Sequence, residues 1–400
     1  MARSEHPRRV AMVAAFPYPT AQGTQALVGE LCRGLAARGH EVHLVCYGHG
    51  AFDRSEPFAV HRTRRIPGYR RLRAGPDAVK PLLDLLVARK AARVIREQHC
   101  ELVHAHNYEG ALAGGAAARS CGVPMVYHAH NLMQDELPRY ISSPRWATMA
   151  RGLGLALDIT VPRTAQRVIA LHGQLGRALQ GRGVPEAQIA VIEPGIETGF
   201  WMRRAPRHGD EPPRVAYCGN IDAYQDLPVL LRAMPRVVGK VPAARLLLAT
   251  PNDPDEARRL VNAHGAGGLT DVIEAADAAA ARDTLHRAEV ATSPRSSWSG
   301  FPVKNLNYAA AGLPVVACAG SAFGVQNGRT GLVVRDGDDS ALAVSIVSLL
   351  NDPGTARRYG AAGQELAREH YSVSRMVGEV ERVWGGAAPP GPPTCTHHSR

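Results

Sequence analysis

Four hundred residues with 45% hydrophobic side chains are enough for two separate cores, since a single core stops growing at roughly 250–300 residues. The charge balance, 47 Lys and Arg against 36 Asp and Glu, leaves +11, which suits nucleic acid, an anionic membrane surface or a polyanionic substrate. No run of about 18 apolar residues occurs, so no membrane span is predicted, and seven scattered cysteines without a C-x-x-C pair read as reduced, mostly buried thiols of a cytosolic protein.

The chain opens on a basic flank and then Val10–Ala15, a short apolar run ending in Pro17-Tyr18-Pro19 with no small-residue cleavage site. A first core strand fits this better than a signal peptide. Pro17, Pro19 and Gly23 make a loop. Gln25–Arg38 is helical by pattern, with Leu27, Leu31 and Leu35 on one face and Gly39 as its stop, and Glu41–Cys46 is the next strand. Arg62, Arg64, Arg65, Arg70, Arg71 and Arg73 then crowd a stretch whose one aromatic is Tyr69. A single-strand binder interleaves aromatics, so nucleic acid drops out as a partner; a solvated loop, or a surface for a membrane or anionic acceptor, remains. Ala78–Glu97 reads as a long amphipathic helix after the Gly75-Pro76 break, Leu102–His106 as a strand, Gly110–Ala118 as a small-residue helix and Met125–His130 as a strand.

A second series follows the linker Arg203–Pro213. Its strands are Arg214–Cys218, Arg245–Ala249, Val272–Glu274, Val290–Ser293, Val315–Ala317 and Gly331–Val334. Helices are predicted at Leu227–Val238, at Pro254–His264 with Asp253 as N-cap, and at Ser340–Leu350, Ala356–His370 and Val373–Val383. Strands alternating with helices mean βαβ units, so the fold class is α/β, with two Rossmann-like doubly wound parallel-sheet domains facing a cleft at the carboxyl ends of their strands. The expected domains are 1–200 and 201–370, then a terminal helix over 371–385 and a disordered tail over 386–400.

Ser293-Pro294-Arg295, a polar loop, Lys304 and the short helix that ends at Gly312-Leu313-Pro314 place two cations and a helix start on one side of a sheet. That local chemistry suits an anion such as a diphosphate, against the alternative of two solvated loop cations. Gly23, in Pro19-Thr20-Ala21-Gln22-Gly23-Thr24-Gln25, lets backbone approach a phosphate, although no G-x-G-x-x-G is present and a plain turn glycine is the alternative. His130 ends a strand with His128 on the same face, so it looks into the cleft or caps a loop. In the following segment, Asn131 to Glu136, either Asp135 or Glu136 can take a proton from an acceptor; a solvated loop is the other reading. His106, Asn107 and Glu109 close another strand and are candidates for the acceptor pocket. The pairs His104/His106, His128/His130 and His397/His398 lack carboxylate or cysteine partners at ligand spacing, so no metal site is predicted.

Ser299-Gly300-Phe301-Pro302-Val303-Lys304-Asn305-Leu306-Asn307-Tyr308-Ala309-Ala310-Ala311-Gly312-Leu313-Pro314-Val315-Val316 resembles the donor signature of retaining GT-B glycosyltransferases of family 4, E-G-F-x-x-x-x-x-E-A-x-A-x-G-x-P-V-V, with both glutamates replaced, by Ser299 and Asn307. The family commonly sets an arginine after the glycine matching Gly219 and a lysine further on, both on the diphosphate; here these read Asn220 and Gln225. The resemblance implies a divergent subgroup in which Arg295 and Lys304 take over charge neutralisation. It places Gly23, Gly219, Asn220, Gln225, Asn307 and Tyr308 on the donor, with Asn307 at the ribose and His130 at the sugar. It places Thr24, His106, Asn107, Glu109, Asn131, Asp135 and Glu136 on the acceptor side. It also implies that the last helix returns to the N-terminal domain, and that neither a protein nucleophile nor a metal is needed.

The expected activity is therefore retaining transfer of a sugar from a UDP- or GDP-sugar. The acceptor is a small polar metabolite, as in secondary metabolism, or a lipid or polysaccharide of the cell envelope, which the arginine cluster favours through peripheral contact with the inner membrane face. A sugar-nucleotide-binding protein without turnover and a sugar-nucleotide 2-epimerase are the alternatives; a cleft carboxylate set for the epimerase cannot be placed. Oligomeric state cannot be read from the sequence.

Overall fold

The computed structural model describes residues 3–20, 23–49, 55–67, 69, 77, 79–202, 212–298 and 300–387. The expectations for Arg70, Arg71 and Arg73, for the Gly75-Pro76 break, for most of the linker, for Ser299 and for the tail from 388 lie outside these residues. The chain divides into two compact units, Met1–Thr20 with Leu31–Glu193 and Met376–Arg400, and Ala21–Glu30 with Pro194–Arg375. No helix among the described residues is long and apolar enough to cross a membrane.

In the first unit the strands are β1 (Arg9–Ala14), β2 (Glu41–Cys46), β3 (Ala59–Arg62), β4 (Leu102–His106), β5 (Met125–Ala129), β6 (Arg167–Ala170) and β7 (Ile189–Val191). They pair in parallel in the order β3-β2-β1-β4-β5-β6-β7. The helices of this part of the chain are α1 (Gly23–Ala37), α2 (Lys80–Glu97), α3 (Asn107–Cys121), α4 (Met133–Glu136), α5 (Pro144–Thr160) and α6 (Gly173–Gly181). Every residue of β4 and β5 is buried, as a parallel sheet covered on both faces requires. The small-residue helix starts at Asn107, three residues before the sequence expectation. Asn107 takes φ +59°, a region Asn tolerates, and turns the chain from strand into helix without a loop. Asn107 and Glu109 therefore lie on the first turn of α3 rather than on a strand end.

The second unit holds α7 (Thr198–Trp201), β8 (Arg214–Cys218), α8 (Leu227–Val238), β9 (Arg245–Thr250), α9 (Pro254–Ala263), β10 (Thr270–Glu274), α10 (Ala278–Leu285), β11 (Val290–Ser293), α11 (Val303–Ala310), β12 (Val315–Cys318), β13 (Gly331–Val334), α12 (Asp339–Asn351) and α13 (Pro353–His370). Its six parallel strands run β10-β9-β8-β11-β12-β13. Period-2 alternation splits each strand between two cores. Val215 and Tyr217 pack with α8 and α12, whereas Ala216 and Cys218 pack with Tyr308 and Leu313. The last helix, α14 (Val373–Gly385), groups from Met376 onward with the first unit. There Glu381 accepts from Arg38 Nε at 2.8 Å and pairs with His40 at 2.7 Å, and Trp384 is buried.

Tyr308 pins helix α11 to the backbone of β8. The Tyr308 hydroxyl, fully buried, accepts from the Cys218 N–H at 2.9 Å and donates to the Cys218 carbonyl at 3.1 Å. Tyr308→Phe leaves both backbone groups without that partner, so it should lower unfolding free energy by about 1–3 kcal/mol, read from the urea midpoint. An unchanged midpoint would remove the pin.

Candidate active site

Strand order reverses between β8 and β11, so the loops leaving their carboxyl ends diverge and open a crevice, the usual ligand position in such a sheet. Gly219 leaves β8 with φ +154°, and a Cβ there would lie 3.0 Å from Lys304 Nζ and 3.3 Å from the Tyr217 hydroxyl. The backbone conformation selects glycine, and a Cβ would press on the Lys304 ammonium. Lys304, in the first turn of α11, donates to Tyr217 Oη at 2.9 Å and to Gln225 Oε1 at 2.7 Å, with its ammonium 4.2 Å from the Tyr217 ring centroid. Since an ammonium only donates, the Gln225 oxygen must face it. Gln225 Nε2 then donates to Asn220 Oδ1 at 2.9 Å, and Asn220 Nδ2 to Tyr224 Oη at 2.9 Å. The Arg295 guanidinium sits 5.1 Å from the Tyr224 ring centroid. Next to it, Ser296 donates through both N–H (2.8 Å) and hydroxyl to Asp226, which ties the β11 exit loop to the start of α8.

Asn220 and Gln225 thus carry no charge themselves; they position the cations that two other segments supply. Burial, and then the neighbouring Arg295 charge, push the Lys304 ammonium down to a pKa of about 7. Asn307 stands one turn beyond Lys304 on α11, and its side-chain oxygen is buried without a hydrogen-bond partner. Tyr308, expected on the donor, is enclosed in the core with its hydroxyl taken by Cys218; it supports the site from behind.

In the first unit, His106 ends β4, while His130 lies just past the end of β5, at 4% exposure. Burial lowers the His130 pKa to about 3, so its ring is neutral and acts by hydrogen bonding. Asn131, Asp135 and Glu136 follow on one segment. Asp135 lies 3.9 Å from Arg151, and Glu136 accepts from the Tyr140 hydroxyl at 3.1 Å. Glu109 pairs with Lys80 at 3.6 Å. Gly23 and Thr24 open α1; a Cβ on Gly23 meets nothing within 4 Å, so space does not select that glycine.

Sequence reasoning missed Asp158. Its carboxylate, on α5 and fully buried, accepts from Tyr108 Oη at 2.6 Å, from the Met133 N–H at 2.8 Å and from the Gln134 N–H at 3.1 Å. It fixes the backbone that carries Asp135 and Glu136. One acid inside the apolar stretch Gly154-Leu155-Ala156-Leu157-Asp158-Ile159 was the available signal.

The comparisons show a nucleotide-sugar-dependent glycosyltransferase of GT-B fold. The family model Glycosyltransferase Family 4 matches residues 21–200, and Glycosyl transferases group 1 matches residues 212–352. The chain is 26% identical over 395 residues to the D-inositol 3-phosphate glycosyltransferase of Streptomyces scabiei, covering 89% of this chain and 86% of that protein. In fold it is similar to sucrose-phosphate synthase from Thermosynechococcus elongatus, with TM-score 0.77, 21% identity, and 94% and 98% of the two chains covered. It is also similar to Anabaena HepE in complex with UDP and glucose, with TM-score 0.74, 14% identity, and 94% and 99% covered. The chain is a glycosyltransferase whose two halves match these two family models, with Ser299 and Asn307 where the family 4 signature glutamates usually stand.

The Lys304 environment has a stability signature. Its folded pKa of about 7 lies below the ordinary 10.5, so the folded state holds fewer protons than the unfolded state between those values, and stability rises with pH there. Measured against Lys304→Met by thermal unfolding, the parent should gain stability from about pH 7 to about pH 10. A difference that stays flat would mean that Lys304 is not desolvated.

Proposed function

We propose that the second unit binds a UDP- or GDP-sugar through Arg295 and Lys304, and that the sugar is transferred with retention to an acceptor held by the first unit. The observation that carries this reading is the cation pair itself. Among the described residues Lys304 donates to neutral groups, Tyr217 and Gln225, so when protonated its charge is available to a diphosphate. The Gly219 turn brings backbone close to that charge. The unpartnered Asn307 oxygen suits a ribose hydroxyl. In the reaction the bond from the anomeric carbon to the phosphate oxygen breaks and a bond to the acceptor oxygen forms on the same face. The acceptor's proton passes to the departing phosphate, whose charge Arg295 and Lys304 offset. Neutral His130 hydrogen-bonds a sugar hydroxyl, and the segment held by Asp158 lines the acceptor side.

An acceptor at an anionic bilayer is favoured by α5. Trp146, Met149 and Leu153, at i, i+3 and i+7, are 62%, 64% and 60% exposed and form one apolar stripe. Arg145 and Arg151 lie on the same helix, Arg139 and Arg163 flank it in sequence, and the chain carries +11. An exposed apolar strip on a helix of a basic chain suits an acidic lipid surface.

Two measurements test these readings. Arg295→Ala and Lys304→Ala should each weaken donor binding about 100-fold, read by thermal shift over a panel of UDP- and GDP-sugars, and should slow release of nucleoside diphosphate in step. Unchanged shifts in both variants would remove the donor site. In flotation with phosphatidylglycerol vesicles, Trp146→Asp and Leu153→Asp should each cut partitioning about tenfold. A parent protein that stays with the lipid-free fraction would leave a small polar acceptor, like the one named for the Streptomyces relative, as the reading.

A further inference from the structure

His104, His106 and His128, on β4 and β5, form with His130 a cluster of which the proposed sugar transfer uses only His130. Alternation sets His104 and His106 on one face of β4, and His128 and His130 on the same side of β5, with His106 paired directly to His128 across the ladder. All four rings are buried, and the His104 and His106 rings stack 4.7 Å apart at 9°. His104 Nε2 lies 3.1 Å from His128 Nδ1, and His106 Nδ1 lies 3.2 Å from His130 Nε2.

Trp384 fixes the tautomers on one side. Its indole nitrogen only donates, and it lies 3.1 Å from His104 Nδ1. His104 Nδ1 is therefore bare, its proton is on Nε2 and points to His128 Nδ1, and the His128 proton is on Nε2. That His128 Nε2 is buried with no hydrogen-bond partner, and so is His106 Nε2. Of these two, only the His106 nitrogen can be satisfied by a cation, because the His128 orphan carries the proton and the ligating atom of His128 is Nδ1.

We propose that His104, His106 and His128 form a site for a divalent transition-metal ion of the zinc, nickel and cobalt class. One nitrogen from each of the three can be chosen so that all lie within 4.8 Å of one another. Tetrahedral ligand nitrogens about 2.0–2.1 Å from one ion sit about 3.3–3.4 Å apart, close to the 3.1 Å already held between His104 and His128. An all-imidazole set suits this class of ion and not magnesium or calcium, which take oxygen. Sequence spacing showed two separate pairs; parallel pairing is what joins them.

The ion replaces the proton shared by His104 Nε2 and His128 Nδ1. The His104 proton then moves to Nδ1, where it faces the indole N–H. Trp384 therefore favours the empty form, and α14 opposes loading.

The test uses the full chain carrying His397→Ala and His398→Ala, so that the tail pair contributes nothing. The protein is incubated with Co²⁺ and desalted. One retained Co²⁺ per chain with the visible spectrum of a tetrahedral nitrogen site is expected. His106→Asn and His128→Asn should each weaken binding at least tenfold, and Trp384→Phe, which keeps every histidine, should tighten it several-fold. The site is overturned by an absent spectrum in the parent, by retention unchanged in both histidine variants, or by Trp384→Phe weakening the site.

Discussion

An ammonium taken out of water must be given acceptors, and the choice of acceptors decides what it can still do. Had a carboxylate met Lys304, the charge would have been spent inside the protein. Tyr217 and Gln225 instead supply neutral oxygens, so the positive charge is held in place and left uncompensated. Its pKa near 7 is the measure of that cost, set first by desolvation and then by Arg295. A charge held this way acts strongly on an incoming anion because little water screens it. The rest of the site follows from the same constraint. Gln225 must turn its oxygen inward, so its amide faces Asn220, and Asn220 in turn reaches Tyr224, the ring beneath Arg295.

The fold was legible because long strands and helices leave strong periodic signals. In the second unit, β8, β11, β13 and α8 have the bounds the pattern predicts. The weak places have physical causes. Strand β7 has three residues and is only partly buried, too little for alternation to register, and β6 opens on the half-buried Arg167, which leaves three apolar residues as its signal. Helix α5 hides because small and apolar residues lie on more than one of its faces. The cations were legible as types, but not their arrangement. Gln225 and Lys304 are far apart in sequence, and only the resemblance to a lysine-bearing family raised the idea that the charge had moved from one position to the other.

The histidines illustrate a different limit. In sequence they are two H-x-H pairs, each unremarkable as a ligand set. Parallel register is what brings His106 beside His128, and a one-residue slip would send one pair to the other side of the sheet. The neutral state of the cluster is equally a product of burial, since water would let these rings protonate near their ordinary pKa. A distant helix then enters through Trp384, whose single hydrogen decides which nitrogen of His104 is bare.

Helix α5 joins two demands that usually fall on separate elements. On one face Gly154 and Asp158, a turn apart, meet the backbone of Met133 and Gln134. A Cβ on Gly154 would lie 2.4 Å from the Met133 carbonyl oxygen, so helix and segment are in direct backbone contact. Asp158 then holds the N–H groups of both residues with one carboxylate. On a neighbouring face the same helix presents Trp146, Met149 and Leu153 to solvent. The helix cannot shift under a load on its apolar stripe without carrying Met133 and Gln134 along, because a buried carboxylate does not release hydrogen-bonded backbone cheaply. Two side-chain oxygens therefore tie the helix that bears the stripe to the segment that bears Asp135 and Glu136.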